Sequence, residues 1–222
     1  MQHRNSAEEH GEACVHVLDE DIHALSSIAE LVRSAGYRVS EYTSAAEFSS
    51  RFLPEGDCCV VLNLCLPDAS GLETLRDLRA GHPHVPAIVM SAHADVPTAI
   101  RATRDGALDV IKKPFSPERL LARIDEALDV CHRQRDSMLQ RFEVRARVDL
   151  LTRREREVLR CLCRGMSVKE IALEFGLSPK TVQIHRARVL KGMRAGSLVD
   201  LVNLLHGSVP VPGAHSSVHG SV

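Results

Sequence analysis

The chain contains no tryptophan, and only 3% of its 222 residues are aromatic. Any core must therefore be packed from Leu, Val, Ile and Ala rather than from stacked rings. No apolar run approaches the roughly 18 residues of a membrane-spanning helix, so such a helix is excluded. The opening "MQHRNSAEEHGEA" lacks the apolar stretch of a secretory leader, and a cytoplasmic location is expected. Seven cysteines are present, none at metal-ligand spacing. That pattern excludes a zinc module and points to a reducing compartment, with the thiols acting as small apolar groups. No metal site is expected.

A net charge of one sign is also missing, since the formal balance is -1. The balance is made of opposite parts. Residues 1–130 carry 12 basic and 21 acidic side chains, a net -9, whereas residues 131–222 carry 16 and 8, a net +8. Such segregation suggests an acidic module joined to one that meets a polyanion.

What is present in the first part is alternation. Strand-length runs fall at 14–18, 38–42, 58–63, 86–91 and 108–112, with helical spacing between them at 22–36, 44–53, 71–80 and 96–105 and after them at 117–130. Ser116 followed by Pro117 is a helix start. Five strands alternating with five helices predict an α/β domain, a doubly wound five-stranded parallel sheet over 13–130, with 1–12 disordered. In such sheets function gathers beyond the carboxyl ends of the strands.

Those ends carry a pattern. The first strand runs into Asp19 and Glu20, the third ends at Asn63, the fourth at Ser91, and the fifth runs into Lys113-Pro114. In this order they resemble the receiver domain of two-component response regulators. The resemblance implies that Asp19 and Glu20 are the acidic pair that holds a divalent cation through oxygens. Ser91 and Lys113 would then grip the oxygens of a phosphoryl group. It also implies that Asn63 stands where the family has its phosphoacceptor aspartate. An amide is delocalised and forms no acyl phosphate.

Two further departures point the same way. Glu20 replaces the usual aspartate, and Val110 replaces the usual fifth-strand aromatic. No cofactor is expected, and Mg2+ binding should be weakened. Asp68, in the turn after Asn63, is the nearest other acceptor but is expected to be solvated. Cys65 is a candidate redox reporter, weaker than its reading as a surface thiol, because nothing basic adjoins it in sequence. No group fitted for catalysis remains beyond the acidic pair and the lysine, so the chain is not expected to be an enzyme.

From residue 150 the pattern changes to helices without strands. "LTRREREVLRCLCRG" opens on a capping box, Thr152 with Glu155, and "SVKEIALEFG" opens on Ser167. "LSPKTVQIHRARVLKGM" begins with Ser178 and Pro179, and 197–205 is a fourth helix. Two helices joined by a "GLS" turn, the second rich in Lys and Arg, describe a helix-turn-helix. Residues 150–206 closely resemble the DNA-binding domain of NarL/FixJ (LuxR-type) regulators, an all-α four-helix domain, and the whole chain most resembles the FixJ branch.

The predicted packed face of the third helix holds Val182, His185, Val189 and Met193. Its outer face, for double-stranded DNA at promoter sites, holds Lys180, Ile184, Ala187, Arg188 and Lys191, flanked by Thr181 and Gln183. Lys180, Thr181, Arg186, Arg188 and Lys191 are assigned to phosphates, Gln183 to adenine, and Ile184 and Ala187 to a thymine methyl. Gly192 should weaken the helix end.

The fourth helix presents Leu198, Leu201, Val202 and Leu205. The resemblance implies that this helix pairs two subunits as a homodimer, although part of the stripe packs inward. Residues 131–149 are expected to form a charged, helical or partly helical tether able to extend the helix from 117, and 207–222 a disordered tail. The expected function is a DNA-binding transcriptional regulator that works without aspartyl phosphorylation, with RNA polymerase as a further partner and no membrane. A protein or small molecule would signal through the receiver. The alternatives are phosphorylation at Asp68, a redox or ligand response, and an adaptor whose helix-turn-helix never meets DNA.

Overall fold

The computed structural model describes residues 13–92 and 95–208. The expectations of disorder at 1–12 and from 209 onward lie outside the described residues. The chain forms two compact units with a border between Arg135 and Asp136.

In the first unit β1 (Cys14–Leu18), β2 (Arg38–Tyr42), β3 (Cys58–Asn63), β4 (Ala87–Ser91) and β5 (Asp109–Lys112) make one sheet in the order β2-β1-β3-β4-β5. Every pairing is parallel. The helices are α1 (Ile22–Ser34), α2 (Ala45–Arg51), α3 (Gly71–Gly81), α4 (Val96–Arg104) and α5 (Pro117–Asp149). Every residue of β1, β3 and β4 is buried. These strands read as continuous apolar runs because helices cover both faces.

Alternation along each strand splits the interior in two. Val15, Val17, Val61, Met90 and Ile111 face Leu25 and Val32 of α1 and Ile124 and Leu128 of α5. Leu18, Val60, Leu62 and Val89 face Phe48 of α2, Leu75 and Leu78 of α3 and Ala102 of α4. Sequence placed the end of the receiver at 130 and a helical or partly helical tether after it, one able to extend the helix from 117. The backbone is one continuous helix from Pro117 to Asp149, since nothing between those positions breaks the hydrogen-bond ladder. Its start matches the expected cap, with Arg119 N donating to Ser116 Oγ at 3.3 Å.

The second unit takes in the end of α5 from Asp136, then α6 (Arg153–Cys163), α7 (Val168–Phe175), α8 (Pro179–Met193) and α9 (Leu198–Ser208), which ends three residues beyond the expected 205. Two capping boxes, Thr152 with Glu155 and Ser167 with Glu170, start α6 and α7. Val158, Leu162, Ile171, Val182, Val189, Met193 and Leu201 close the core. Phe175 is half-buried, and the Arg154 guanidinium lies 4.4 Å above its ring centroid. Gly192 also gains a reason. A Cβ there would come within 2.7 Å of Leu151 Cδ2, so the glycine lets a buried leucine close against α8.

Candidate functional site

The register of the sheet brings the strand ends together. Leu18 pairs with Leu62, Asn63 with Met90, and Ser91 with Lys112, so Asp19, Asn63, Ser91 and Lys113 emerge along one rim. Asp19 is fully buried, and Asn63 and Ser91 are nearly so. Gly71 N donates to Leu64 O at 2.9 Å, which seats α3 against the end of β3. A Cβ on Gly71 would lie 2.5 Å from the Asn63 carbonyl oxygen, so that seat excludes any side chain.

Lys113 Nζ lies 2.6 Å from Asp19 Oδ2. Burial pushes the Asp19 carboxyl above its ordinary value, and the hydrogen bond from Lys113 opposes that rise. Asn63 Nδ2 faces three acceptors, Glu20 Oε2 at 2.6 Å, the Cys65 carbonyl at 3.1 Å and Asp19 Oδ1 at 3.4 Å. Because all three accept, the amide must turn its NH2 end toward them. The nitrogen thus bridges two carboxylates that would otherwise repel.

A cation of the kind the receiver resemblance implies would need oxygens converging there, and the centre instead holds a donor. Among the described residues, no group of three or more His, Cys, Asp or Glu side chains is arranged to hold a metal.

Asp68 is exposed, as expected for a turn residue, but it has a structural task that its sequence position hides. Its two oxygens accept from Ala45 N at 3.0 Å and Ala46 N at 2.8 Å, so it caps α2 from across the sheet end. These bonds hold its carboxyl below the usual range. Cys65 exposes its thiol at the rim. Val110 is half-buried against the α3 and α4 side of the sheet.

The two faces of α8 differ in exposure side chain by side chain. Lys180, Gln183, Ala187, Arg188 and Lys191 are exposed, and Ile184 is 47% exposed despite being apolar. Thr181 and Arg186 are half-buried. The Thr181 hydroxyl is 2.8 Å from Ser178 Oγ, so it takes part in the helix cap. Val182, Val189 and Met193 are fully buried, while His185 is half-buried with its Nδ1 enclosed.

Arg194, which the sequence reading passed over, caps α8 in the left-handed region at φ 55. A side chain held there where glycine is usual is a signal only backbone geometry could give.

On α9 the part of the stripe that packs inward can be named. Leu201 and Leu205 are buried in the core of this unit and leave no surface for a partner. Leu198 and Val202 are half-buried, and Val199, not singled out from sequence, is 67% exposed.

Comparison with known proteins gives two family matches. Residues 15–125 match the response regulator receiver domain, and residues 149–205 match the bacterial regulatory proteins of the luxR family. The transcriptional regulatory protein FixJ of Azorhizobium caulinodans is 40% identical over 202 residues, covering 90% of this chain and 96% of that protein. The response regulator protein TmoT of Ectopseudomonas mendocina is 34% identical, covering 91% and 90%. The low-resolution structure of the response regulator StyR matches at a TM-score of 0.77 with 32% identity, covering 88% of this chain and 99% of that one.

Proposed function

The chain belongs to the response regulators that join a receiver domain to a LuxR-type DNA-binding domain and, like FixJ, regulate transcription, and we propose that it does so without aspartyl phosphorylation. The observation that carries this reading is the Asn63 amide donating to Glu20 at 2.6 Å. A receiver switches when an anionic oxygen attacks phosphorus. Here the corresponding position offers a delocalised nitrogen already committed to acceptors, with no lone pair to give. Lys113, which would meet a phosphoryl oxygen, is paired with Asp19 instead.

The same arrangement favours weak Mg2+ binding, because a donor group sits between the carboxylates that would have to converge on the ion. Asp68 is a poor substitute acceptor, since both its oxygens are engaged by α2. In this reading Asn63 locks the pocket in one state, and a protein or small molecule signals through the receiver.

The DNA contacts fall to the outer face of α8. Lys180, Arg188 and Lys191 meet phosphates together with Thr181 and Arg186, and Gln183, Ile184 and Ala187 meet base edges. Arg194, projecting from the end of the same helix, joins the phosphate set. Two copies pair on DNA through α9, using Leu198, Val199 and Val202, and read half-sites about one helical turn apart. RNA polymerase is the further partner of the DNA-bound dimer.

The test is direct. The full chain is incubated with acetyl phosphate and Mg2+, then analysed by intact mass and by binding to genomic promoter fragments. We expect no added phosphoryl mass, together with salt-sensitive duplex binding. A phospho-form in residues 13–130 that changes DNA affinity would overturn the reading.

A further inference from the structure

We infer that the cleft at the open edge of the sheet, beside β2 and remote from Asn63, is a binding site for a small organic carboxylate. The inference does not depend on whether the receiver accepts phosphate.

The starting point is a breach of pattern. On the side of the sheet facing α2 and α3, the central strands present Leu18, Val60, Leu62 and Val89. By strand alternation and the pairings Cys14 with Arg38, His16 with Ser40 and Leu18 with Tyr42, the β2 side chains facing the same way are Arg38, Ser40 and Tyr42. A row of arginine, hydroxyl and phenol therefore continues an apolar surface. The covering helix, α2, has only seven residues and leaves this edge open. The resulting cleft has a volume of about 380 Å³ and includes Arg38, Ser40, Tyr42, Arg51, Leu53 and His16 in its lining. That size is in the range of small-molecule sites.

The cleft also contains an unanswered polar atom. His16 is 3% exposed, and its Nδ1 is 3.0 Å from Tyr42 Oη. Its Nε2 is buried without a hydrogen-bond partner. Burial lowers the imidazole to about 4, with Arg38 acting in the same direction, so the ring is neutral and carries one proton. Burial raises the Tyr42 phenol, while a hydrogen bond from Ser40 opposes the rise. The phenol therefore keeps its proton and can donate to Nδ1. In the tautomer in which the phenol donates to Nδ1, the ring proton lies on Nε2, where nothing receives it. Phe52 meets the His16 ring edge-on at a centroid distance of 4.7 Å, and a ring face is at best a weak acceptor.

Two guanidinium groups complete the recognition set. Arg51 pairs with Glu47 and lies 5.6 Å from the Tyr42 ring centroid, so its fork is held over the cleft with donors to spare. Arg38 also lines the cleft, and Glu55 is the one carboxylate in the lining. An arginine fork takes a carboxylate or a phosphate alike, and the carboxylate is favoured here because the rest of the wall calls for an anion with an apolar body and a single charge beside Glu55. Val39 and Leu53 supply apolar wall for the remainder of the ligand. Residues 52–55, which have no regular secondary structure, form the wall that would shift to bring the ligand onto Nε2.

Benzoate is the probe. Thermal unfolding and calorimetric titration of the full chain are run with benzoate, benzyl alcohol and inorganic phosphate, on the wild type, Arg38→Gln and His16→Phe. The phenylalanine keeps the ring packing and removes the donor. We expect saturable stabilisation by benzoate alone, with affinity at least tenfold weaker in each variant. The inference is overturned if benzoate gives no saturable effect, if benzyl alcohol or phosphate matches it, or if both variants bind as the wild type does. Should His16→Phe fail to fold, Arg38→Gln, at an exposed position, decides alone.

Discussion

Asn63 Nδ2 lies 2.6 Å from Glu20 Oε2, and the same nitrogen reaches Asp19 Oδ1 at 3.4 Å. One amide thus holds together two acids that a carboxylate in its place would drive apart.

Restoring that carboxylate should reverse the cation dependence. In chelator, Asn63→Asp is expected to lose on the order of 1–2 kcal/mol of stability through like-charge repulsion. Millimolar Mg2+ should return most of it in the variant and little in the wild type. Urea unfolding with and without Mg2+ checks this, and an equal Mg2+ gain in both proteins would contradict the proposed role of the amide.

Gly71 marks the closest approach of α3 to the pocket. A methyl group there would press on backbone at 2.5 Å, and backbone cannot swing aside as a side chain tip can. Gly71→Ala is expected to cost about 1–3 kcal/mol. Gly81→Ala, where a Cβ would meet nothing within 4 Å, should be neutral or slightly stabilising. Paired unfolding curves measure the contrast.

The capping box at α6 predicts an acid response. The Thr152 N–H and hydroxyl hold the Glu155 carboxyl below its usual range. A lowered folded value stabilises the fold fully above the ordinary glutamate range, near about 4.3. The contribution fades as pH falls through the folded value. Glu155→Gln should therefore be less stable at neutral pH and closer to the wild type at pH 3. Thr152→Ala should cost about 1 kcal/mol. Urea titrations at several pH values test both.

Core and surface roles on α9 should separate. Leu201→Ala removes a fully buried side chain and is expected to cost about 2–5 kcal/mol. Val199→Ser, at a position 67% exposed, should leave monomer stability within about 0.5 kcal/mol while weakening self-association on DNA. Sedimentation with and without a two-half-site duplex reads the second effect, and unchanged dimerisation would place the pairing surface elsewhere.

On α8, charge and base-edge contacts predict different signatures. Arg188→Ala should weaken binding to all duplexes and reduce the salt slope by about one. Gln183→Ala should instead relax preference at one base pair, by about 1–3 kcal/mol. Binding isotherms across salt and across single-base variants distinguish them.

Strand and helix positions were legible because burial on two faces demands unbroken apolar runs, as in "CCVVLN", and because Ser116, Thr152, Ser167 and Ser178 announce helix starts. The rim residues Asp19, Asn63, Ser91 and Lys113 were legible because a parallel sheet delivers its strand ends to one edge. The task of Asp68 was hidden, since its partners Ala45 and Ala46 lie 23 and 22 residues away. The cleft beside β2 was hidden too. "RVSEY" reads as an ordinary edge strand until His16, from another strand, is placed across from Ser40.

The sequence by itself determined the order of the elements, the two-part charge and the amide at position 63, because these depend on residue identity and local spacing alone. Only the tertiary structure decided which acceptors that amide meets, which α9 leucines are used up in the core, and which histidine nitrogen is left without a partner. Those outcomes depend on contacts between segments distant along the chain, and no local pattern encodes the distances at which such segments meet.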